Sequence, residues 1–591
     1  MIDKKKNGGF YKNRSPRNRY QEENNHNDSN EIKDEVINAS KGLKIVPLGG
    51  LGEVGRNMMI IEWEDNAIIV DMGLNFPQEK TPGVDYIIPN ISYLEKYKKN
   101  IMGLFLTHGH YDHIGAIPYL LDKVGNPPIF GSPLTLGIVK KRQEEFPLQP
   151  KLQLHEIKDG EKVELGKFCV EFFHQNHNIP EGNGLFIRTP VGNIINTSDF
   201  KFDITPTNAP ATDLEKLKEI GERGILLLMS DSTGAESEGR SLSEKTIEKN
   251  LEKIFQKAKG RIITATFASL LNRIQDIIYL SEKYGRKVVV EGYGMKSNIE
   301  IAQNLHLIKT KKGTIIPSER ASSYDDGKIT VLSTGAQGEG NAALMRILSK
   351  QHKYFRLKKG DTVVLSSSVI PGNERAVQNI KDDIIRQGAD IFHSQMMDIH
   401  AKGHAQQEEL RDMIRIMKPQ YFMPIHGQYS MMASHARIAK EEGISEENIA
   451  LIDNGHAILI DESGMRISKK SLNVTPVMVD GSGIGDVGGV VLHDRMELAE
   501  SGIFVIIAVI DKKTRKIKNS PDIISRGFIY LRDSQILLTE ARRKTMKIIS
   551  EAEKERKDTK DIKNEIRQKM ESFLFSRTRR RPMVLPVVIE V

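Results

Sequence analysis

The chain is poor in cysteine and in long apolar runs. Its single cysteine, Cys169, excludes an internal disulfide, fits a reducing compartment and reads as a small buried residue. No apolar stretch approaches the roughly 20 residues that span a bilayer, and the opening MIDKKKNGGF has no apolar signal-peptide core. A cytoplasmic location with no membrane partner is therefore expected. Residues 1–42 almost lack aliphatic side chains and cannot offset the entropy of ordering, so they are expected to form a disordered polar tail that includes His26. The basic first half of that tail fits either an RNA or partner contact or a plain solvated segment. A large excess of one charge is missing too. A net charge of +8 over 591 residues favours an anionic partner only weakly, and nucleic acid leads only if a hydrolytic metal site is present. No internal repeat is visible, and the length implies several domains.

What the chain does have is an H-x-H-x-D-H cluster, His108, His110, Asp112 and His113, directly after the apolar run 101–106. Three imidazoles and a carboxylate this close together point to a metal site. In an extended segment alternate residues face the same way, so His108, His110 and Asp112 are expected to share a cavity while His113 points elsewhere. One motif would then serve two metals. Imidazole with carboxylate suits zinc or manganese better than calcium or magnesium, which prefer all-oxygen shells.

From Leu43 onward, the short apolar segments LKIVPL, NMMIIEW, AIIVDMG and GLFLTHGH read as strands layered with helices. GLGEVG at 50–55 matches G-x-G-x-x-G, but a dinucleotide fingerprint needs a helix to begin at the glycines, and here a strand follows. A tight turn close beneath the metal site is expected instead. Between 237 and 390, helices alternate with the strands RIITATF and KVVVEG, and Ile247, Leu251, Ile254 and Phe255 share one helical face. DTVVLSSS and YFMPIHG then read as strands, with Leu410, Met413, Ile414 and Met417 marking the helix between them. Histidines return here, which suggests re-entry into the first domain. From 476, the segments GGVVLHD, IFVIIAVID and PVVIEV read as strands that, with two charged helices over 541–575, make a small α+β domain. Its RTRRR run, 577–581, either contacts phosphates or ends a helix in solvent.

A two-metal hydrolase needs further ligands, ideally a bridging carboxylate and one more histidine for each metal. HQNHNIPEGNG offers His174 and His177, NIINTSDFKFD offers Asp199, and PIHGQ offers His426, all near the ends of separate strands. With Asp71, these motifs in this order resemble the metallo-β-lactamase superfamily. SDSTGAE (230–236), TFASLLNR (266–273), STGAQGEG (333–340), SSSVIPGNE (366–374) and HAKGHA (400–405), together with GGLGEVGRNM, resemble its β-CASP branch and within it the bacterial ribonuclease J family. The match runs from about Leu43 to the C-terminus.

The resemblance implies an α/β chain: an αββα metallo-β-lactamase sandwich (43–236 and 391–475), an inserted β-CASP domain (237–390) and a C-terminal α+β oligomerisation domain (476–591). His108, His110 and His177 would hold one divalent ion; Asp112, His113 and His426 the other; Asp199 would bridge them, and Asp71 would orient the ligands from behind. His177 is preferred to His174 because the family ligand precedes an x-I-P turn, here Asn178, Ile179 and Pro180; His174, His155, His393 and His493 are expected to be ordinary histidines. Asp112 and His404 would carry catalysis, His404 as proton donor or scissile-phosphate contact. His400, Ala401, Lys402, Gly403 and His404 would cradle phosphate, with further substrate contacts at Ser269, Ser232 and Thr233. SSSVIPGNE fits a contact for the substrate's 5′ end or an ordinary serine-rich strand end. The cofactors implied are two zinc or manganese ions and a structural calcium at Asp85 and Asp480, either of which equally fits a turn or cap residue.

The activity implied is a 5′-to-3′ exoribonuclease with endonuclease action in RNA maturation and mRNA decay, using a metal-bridged hydroxide and leaving 5′ phosphates. The partners implied are RNA, a homodimer or homotetramer, and an RNA-degradation complex. Five positions depart from the family pattern: Lys402 for serine, Leu270 and Asn272 for asparagine and histidine, TSD for TGD, and Tyr111 for an acidic residue. None removes a ligand, and Lys402 adds a cation beside the phosphate pocket. A thioester or lactam hydrolase would share the metal residues but needs no phosphate clamp. A non-catalytic RNA scaffold would be expected to have lost a ligand.

Overall fold

The computed structural model describes residues 35–37, 41–77, 81–97, 100–370, 372–481, 483–529 and 534–591. His26 and most of the expected tail lie outside them. Within that tail, Val36 is buried against the first domain's core.

The metal-motif domain is a sandwich of two mixed sheets. An eight-stranded sheet runs Gly464–Ile467, Ile458–Asp461, Leu43–Gly49, Met58–Trp63, Asn66–Val70, Ile101–Phe105, Ile129–Gly131, Leu154–Glu156. A six-stranded sheet runs Tyr421–Ile425, Ile225–Asp231, Asn193–Asn196, Asn183–Arg188, Phe168–His174, Lys162–Leu165. Strand periodicity explains the layering. Ile45, Ile61, Ile68 and Phe105 meet Phe172, Leu185, Leu227 and Met423 in the core between the sheets. Their neighbours Val46, Ile60, Ile69 and Leu104 point the opposite way into a second apolar layer. On the far side, Phe173, Phe186, Ile195, Leu228 and Phe422 pack on the helices Leu214–Gly221, Gln407–Met417 and Tyr429–Glu441. Strands apolar on both faces require helices outside both sheets, which gives αββα.

The chain leaves this sandwich to build a five-stranded, all-parallel sheet, Lys287–Glu291, Ile329–Ser333, Ile262–Ala265, Thr362–Leu365, Asp390–His393. It then returns: Tyr421–Ile425 pairs in parallel with Ile225–Asp231, and Ile458–Asp461 pairs antiparallel with Leu43–Gly49. Val477–Asp480 next pairs with Tyr86–Ile88 of the first domain. The C-terminal unit has three strands in the order Asp522–Arg526, Ile503–Ile510, Met583–Glu590, with the helices Gln535–Lys554 and Thr559–Thr578 over one face.

One expected strand is a helix. GGVVLHD begins the Gly489–Ser501 helix, because so short an apolar run, Val490 to Leu492, does not distinguish the two and the following RMELAES favours helix. Among the described residues no helix is long and apolar enough to cross a membrane.

Candidate metal centre and active site

The polar residues gather at the carboxyl ends of strands from both sheets. His108 follows Ile101–Phe105, His177 follows Phe168–His174, Asp199 follows Asn193–Asn196, Asp231 ends Ile225–Asp231 and His426 follows Tyr421–Ile425. Their ligand atoms form two groups that share Asp199: His108, His110, His177 and Asp199, and Asp112, His113, His426 and Asp199, each with its donor atoms within 4.8 Å of one another. The alternation expected for the first motif does not hold. At His110 the extended segment ends and a helical turn, Tyr111–Ile114, begins, so Asp112 sits with His113 and not with His108 and His110. A turn rotates successive side chains by about 100°, where a strand would reverse them.

The donor atoms fit cations. His110 Nδ1 lies 3.0 Å from His108 Nε2 and 3.2 Å from His177 Nε2. His113 Nε2 lies 3.4 Å from Asp199 Oδ1 and 3.7 Å from Asp112 Oδ2. Asp199 Oδ1 and His426 Nε2 are buried without a hydrogen-bond partner. Ring nitrogens facing one another beside an unpartnered carboxylate oxygen are poorly satisfied by protons and well satisfied by a divalent ion in each group. Burial drives His108 and His177 well below the usual imidazole range and His110 to about 4, leaving them neutral with lone pairs available. Burial also opposes charge on Asp199, but His426 and His113 outweigh it and keep the carboxylate ionised. At His113, Asp199, Asp71 and Asp112 likewise overcome burial and raise the pKa.

Around this set, other groups fix each ring. Asp71 accepts from His113 Nδ1 at 2.8 Å and from the Thr107 N–H at 2.9 Å. His177 Nδ1 donates to the Gly403 carbonyl at 2.7 Å, and His426 Nδ1 to Asn57 Oδ1 at 3.0 Å. Asn57 lies two residues beyond the GLGEVG turn and packs back on it, since a Cβ on Gly50 would stand 2.4 Å from Asn57 Oδ1. The glycine allows the close approach that the sequence suggested. Asp71, Ser198 and His426 all adopt left-handed φ, +60°, +57° and +50°, a cluster of strained backbone at one site.

His404 stands against this set. Its ring is 5.0 Å from His177 and 5.6 Å from His426, and its Nδ1 donates to Asp231 Oδ2 at 2.8 Å. Burial opposes its charge, but the Asp231 carboxylate prevails and holds His404 up at about 9. Gly403 has no room for a side chain, since a Cβ would lie 2.5 Å from the His177 ring. Ala401 is buried and Lys402 is exposed.

Several expected substrate contacts stand elsewhere. His400 is buried, and burial helped by Arg273 pushes it down to about 3, so its side chain offers no cation to a phosphate. Ser232 is wholly buried and bonded to His435 Nδ1 at 3.1 Å, while Thr233 Oγ1 donates to the His426 carbonyl at 2.9 Å. Both brace the centre from within. Ser269 is half-buried beyond the Ile262–Ala265 strand of the insert. Ser366 and Ser367 of SSSVIPGNE are buried and bonded internally, to Ile399 O and Gln337. Asp85 accepts from the Gly481 N–H at 2.8 Å and Asp480 is paired with Arg495, so both carboxylates already have protein partners. His174 is part-buried outside both groups, His155 is exposed and stacks on Phe130, and His493 is exposed beside Glu497. His393 ends a strand of the insert. In the RTRRR run, Arg577 pairs with Glu540 and Arg581 lies over Phe575. The Tyr111 ring is partly exposed, with the Arg142 guanidinium 5.7 Å from its centre.

The sequence reading passed over Asn57, Thr107, Ser198 and Asp231. Asp231 was accessible to it, since it ends a strand as Asp199 nearly does. The other three touch the centre through neutral amide and hydroxyl groups, whose residue types do not by themselves signal a metal site.

The fold and donor set define a metallo-hydrolase of the metallo-β-lactamase type. Family models agree along the chain: Metallo-beta-lactamase superfamily at 51–171, Ribonuclease J, beta-CASP domain at 259–384, Zn-dependent metallo-hydrolase RNA specificity domain at 393–450, and Ribonuclease J C-terminal domain at 490–591. The chain is 40% identical to Ribonuclease J 1 of Streptococcus pyogenes serotype M3 over 546 residues, 92% of this chain and 97% of that one. It is 38% identical to Ribonuclease J 2 of Staphylococcus saprophyticus over 553 residues, 93% of this chain and 99% of that one. The chain belongs to the ribonuclease J family. The same fold occurs in a crystal structure of a protein of unknown function from Enterococcus faecalis V583, with TM-score 0.50 and 15% identity over 71% of this chain and 100% of that one.

Proposed function

We propose that the protein is a metal-dependent ribonuclease that removes nucleotides 5′ to 3′ and also cuts internally, leaving 5′ phosphates, in cytoplasmic RNA maturation and mRNA decay. The observation that carries this reading is the convergence of seven donor side chains in two groups sharing Asp199, with the His404–Asp231 pair beside them. In this reading His108, His110 and His177 would hold one ion and Asp112, His113 and His426 the other, with Asp199 common to both groups. Bound there, zinc or manganese would supply a nucleophilic water of lowered pKa and charge stabilisation for phosphodiester hydrolysis.

The side chains do the rest. Asp71, Asn57 and the Gly403 carbonyl fix which nitrogen of His113, His426 and His177 faces inward. His404, kept protonated by Asp231, binds the scissile phosphate or passes a proton from Nε2 to the leaving oxygen. Lys402, exposed in the same loop, adds a cation for the RNA backbone.

A homo-oligomer fits the C-terminal sheet. Val505, Ile507 and Val509 alternate with the core residues of their strand and share a face with Ile524, Leu585 and Ile589, the last three each more than 40% exposed. An apolar sheet face of this kind calls for a partner surface. Val505→Lys together with Leu585→Lys is expected to shift the protein toward monomer by light scattering, and unchanged mass would remove the assignment.

The direct test uses RNA labelled at its 5′ end and bearing a monophosphate or a triphosphate, incubated with wild type or Asp112→Ala protein and added Mn²⁺ or Zn²⁺. Immediate release of labelled mononucleotide by wild type alone is expected. RNA bound but uncut under every metal condition would overturn the hydrolytic reading.

A further inference from the structure

A buried charged network joins the inserted domain to the metal loop and to the 400–405 loop at once. Arg273, in the Leu271–Lys283 helix of the insert, is only 2% exposed. Its Nη2 donates to Glu244 Oε2 at 2.6 Å, and Glu244 Oε1 in turn accepts from Lys201 Nζ at 3.2 Å. Lys201 also lies 3.4 Å from Asp203, which accepts from the Glu244 N–H at 2.9 Å. Lys201 and Asp203 follow Asp199 by two and four residues, so this arm ends on the segment that carries the shared carboxylate.

The other arm ends at the 400–405 loop. Arg273 Nη1 donates to the Ile399 carbonyl at 2.7 Å and to Ser366 Oγ at 2.5 Å, and Ser366 Oγ donates to the same carbonyl at 2.7 Å. Ile399 immediately precedes His400. Further along, the Gly403 carbonyl is held by His177, and the Ala405 N–H donates to the Phe200 carbonyl at 2.6 Å. The loop bearing His404 is thus pinned at its entry by the insert and at its exit by the metal domain.

A buried ion network is weak evidence for stability, because desolvating the charges offsets much of their attraction. Its geometric role is stronger. If the insert shifted on the sandwich, Glu244 would part from Lys201 and Arg273 from Ile399 O, and the loop would lose its entry anchor. We propose that Arg273 is a positioning residue that makes the placement of His404 depend on the seating of the insert, so that closing the insert over RNA and completing the active site are one event. This rests on the ribonuclease reading above. Wild-type cleavage of RNA tests that reading separately.

The insert contains its own control. Arg261 is equally buried and bonded in a fork to Asp361, at 2.9 and 2.5 Å, and to the Arg356 carbonyl, all within the insert and away from the loop. Arg273→Met, Ser366→Ala and Arg261→Met are compared as metal-loaded full-length proteins, with metal content, melting temperature, kcat and KM on RNA, and amide exchange of residues 400–405.

Arg273→Met is expected to lower kcat about 100-fold, the cost of a misplaced catalytic group, with KM and metal content near wild type and faster exchange in the loop. Ser366→Ala, a milder change that leaves the ion pairs intact, is expected to show the same signature at about tenfold. Arg261→Met is expected to lower the melting temperature while kcat per folded molecule and loop exchange stay at wild type. Arg273→Lys, which keeps the charge, is expected to recover part of kcat. The proposal is overturned if Ser366→Ala leaves both kcat and loop exchange unchanged, or if Arg273→Met and Arg261→Met lose kcat equally. Should Arg273→Met not fold, Ser366→Ala and Arg273→Lys decide the matter.

Discussion

The metal centre and the C-terminal domain are built on opposite rules. In the C-terminal domain, Phe504, Ile506, Ala508 and Ile510 alternate into a core met by Leu538, Ala541, Ile548 and Ile549 at helical spacing. Along this strand and helix, local pattern and burial agree. At the metal centre, buried residues are polar, three non-glycine residues hold left-handed backbone, and Asp199 Oδ1 and His426 Nε2 have no hydrogen-bond partner. Each departure costs stability in the isolated chain, and each presents a donor or lone pair where an ion or a phosphate is needed. Stability and chemistry are thus carried by different residues, and they should separate on mutation.

The largest separation is expected at Asp199. Asp199→Asn keeps the shape but removes the shared charge, and activity should fall by several kcal/mol of transition-state stabilisation, about 10³-fold. Calorimetry of the metal-free protein should show it melting no lower than wild type, and a lower melt would break the comparison. His404→Ala comes next, with kcat down about 10²–10⁴-fold and metal content unchanged by elemental analysis. The opposite case is Ile506→Ala. It should destabilise the C-terminal domain by about 2–5 kcal/mol in denaturant melts while kcat per folded molecule holds. Asp71→Asn, which touches the centre only through His113 and Thr107, should cost about 10–100-fold in metal affinity by chelator competition.

The smallest effect is a pH dependence of the insert, through Asp276 in the Leu271–Lys283 helix. Burial raises Asp276 to about 7, against an opposing pull from Arg273 and with help from Glu244; Asn208 Nδ2 donates to it at 2.6 Å. A carboxyl whose pKa is raised on folding contributes stability that is complete below its unfolded pKa and is lost as pH rises through about 7. Between pH 6 and 8 the insert should therefore lose about 1 kcal/mol, and Asp276→Asn should flatten that slope in urea melts. An unchanged slope would show that Asp276 does not carry it.

Much of this was legible in the residues. All seven donors were readable, because strand ends carrying His and Asp are scarce and their chemistry is specific. The helical face of Ile247, Leu251, Ile254 and Phe255 is buried as its spacing requires. The readings that failed were those that depended on local conformation alone. GGVVLHD is helical because its downstream residues prefer helix, and the grouping of Asp112 with His113 turns on a single helical turn that no periodicity announces. His400 and Ser232 carry the right chemistry for phosphate, yet both face inward, since a residue type does not report its burial.

The kind of reaction and the layered α/β build follow from residue identity alone: imidazoles and carboxylates suit divalent ions where they converge, and strands apolar at nearly every position demand two covered faces. Packing in three dimensions sets which polar side chains face the cleft, and how Arg273 ties Glu244 to Ile399, residues 155 positions apart in sequence. Those outcomes depend on distances between strand ends, and the chain sets such distances only when both sheets and the insert pack together.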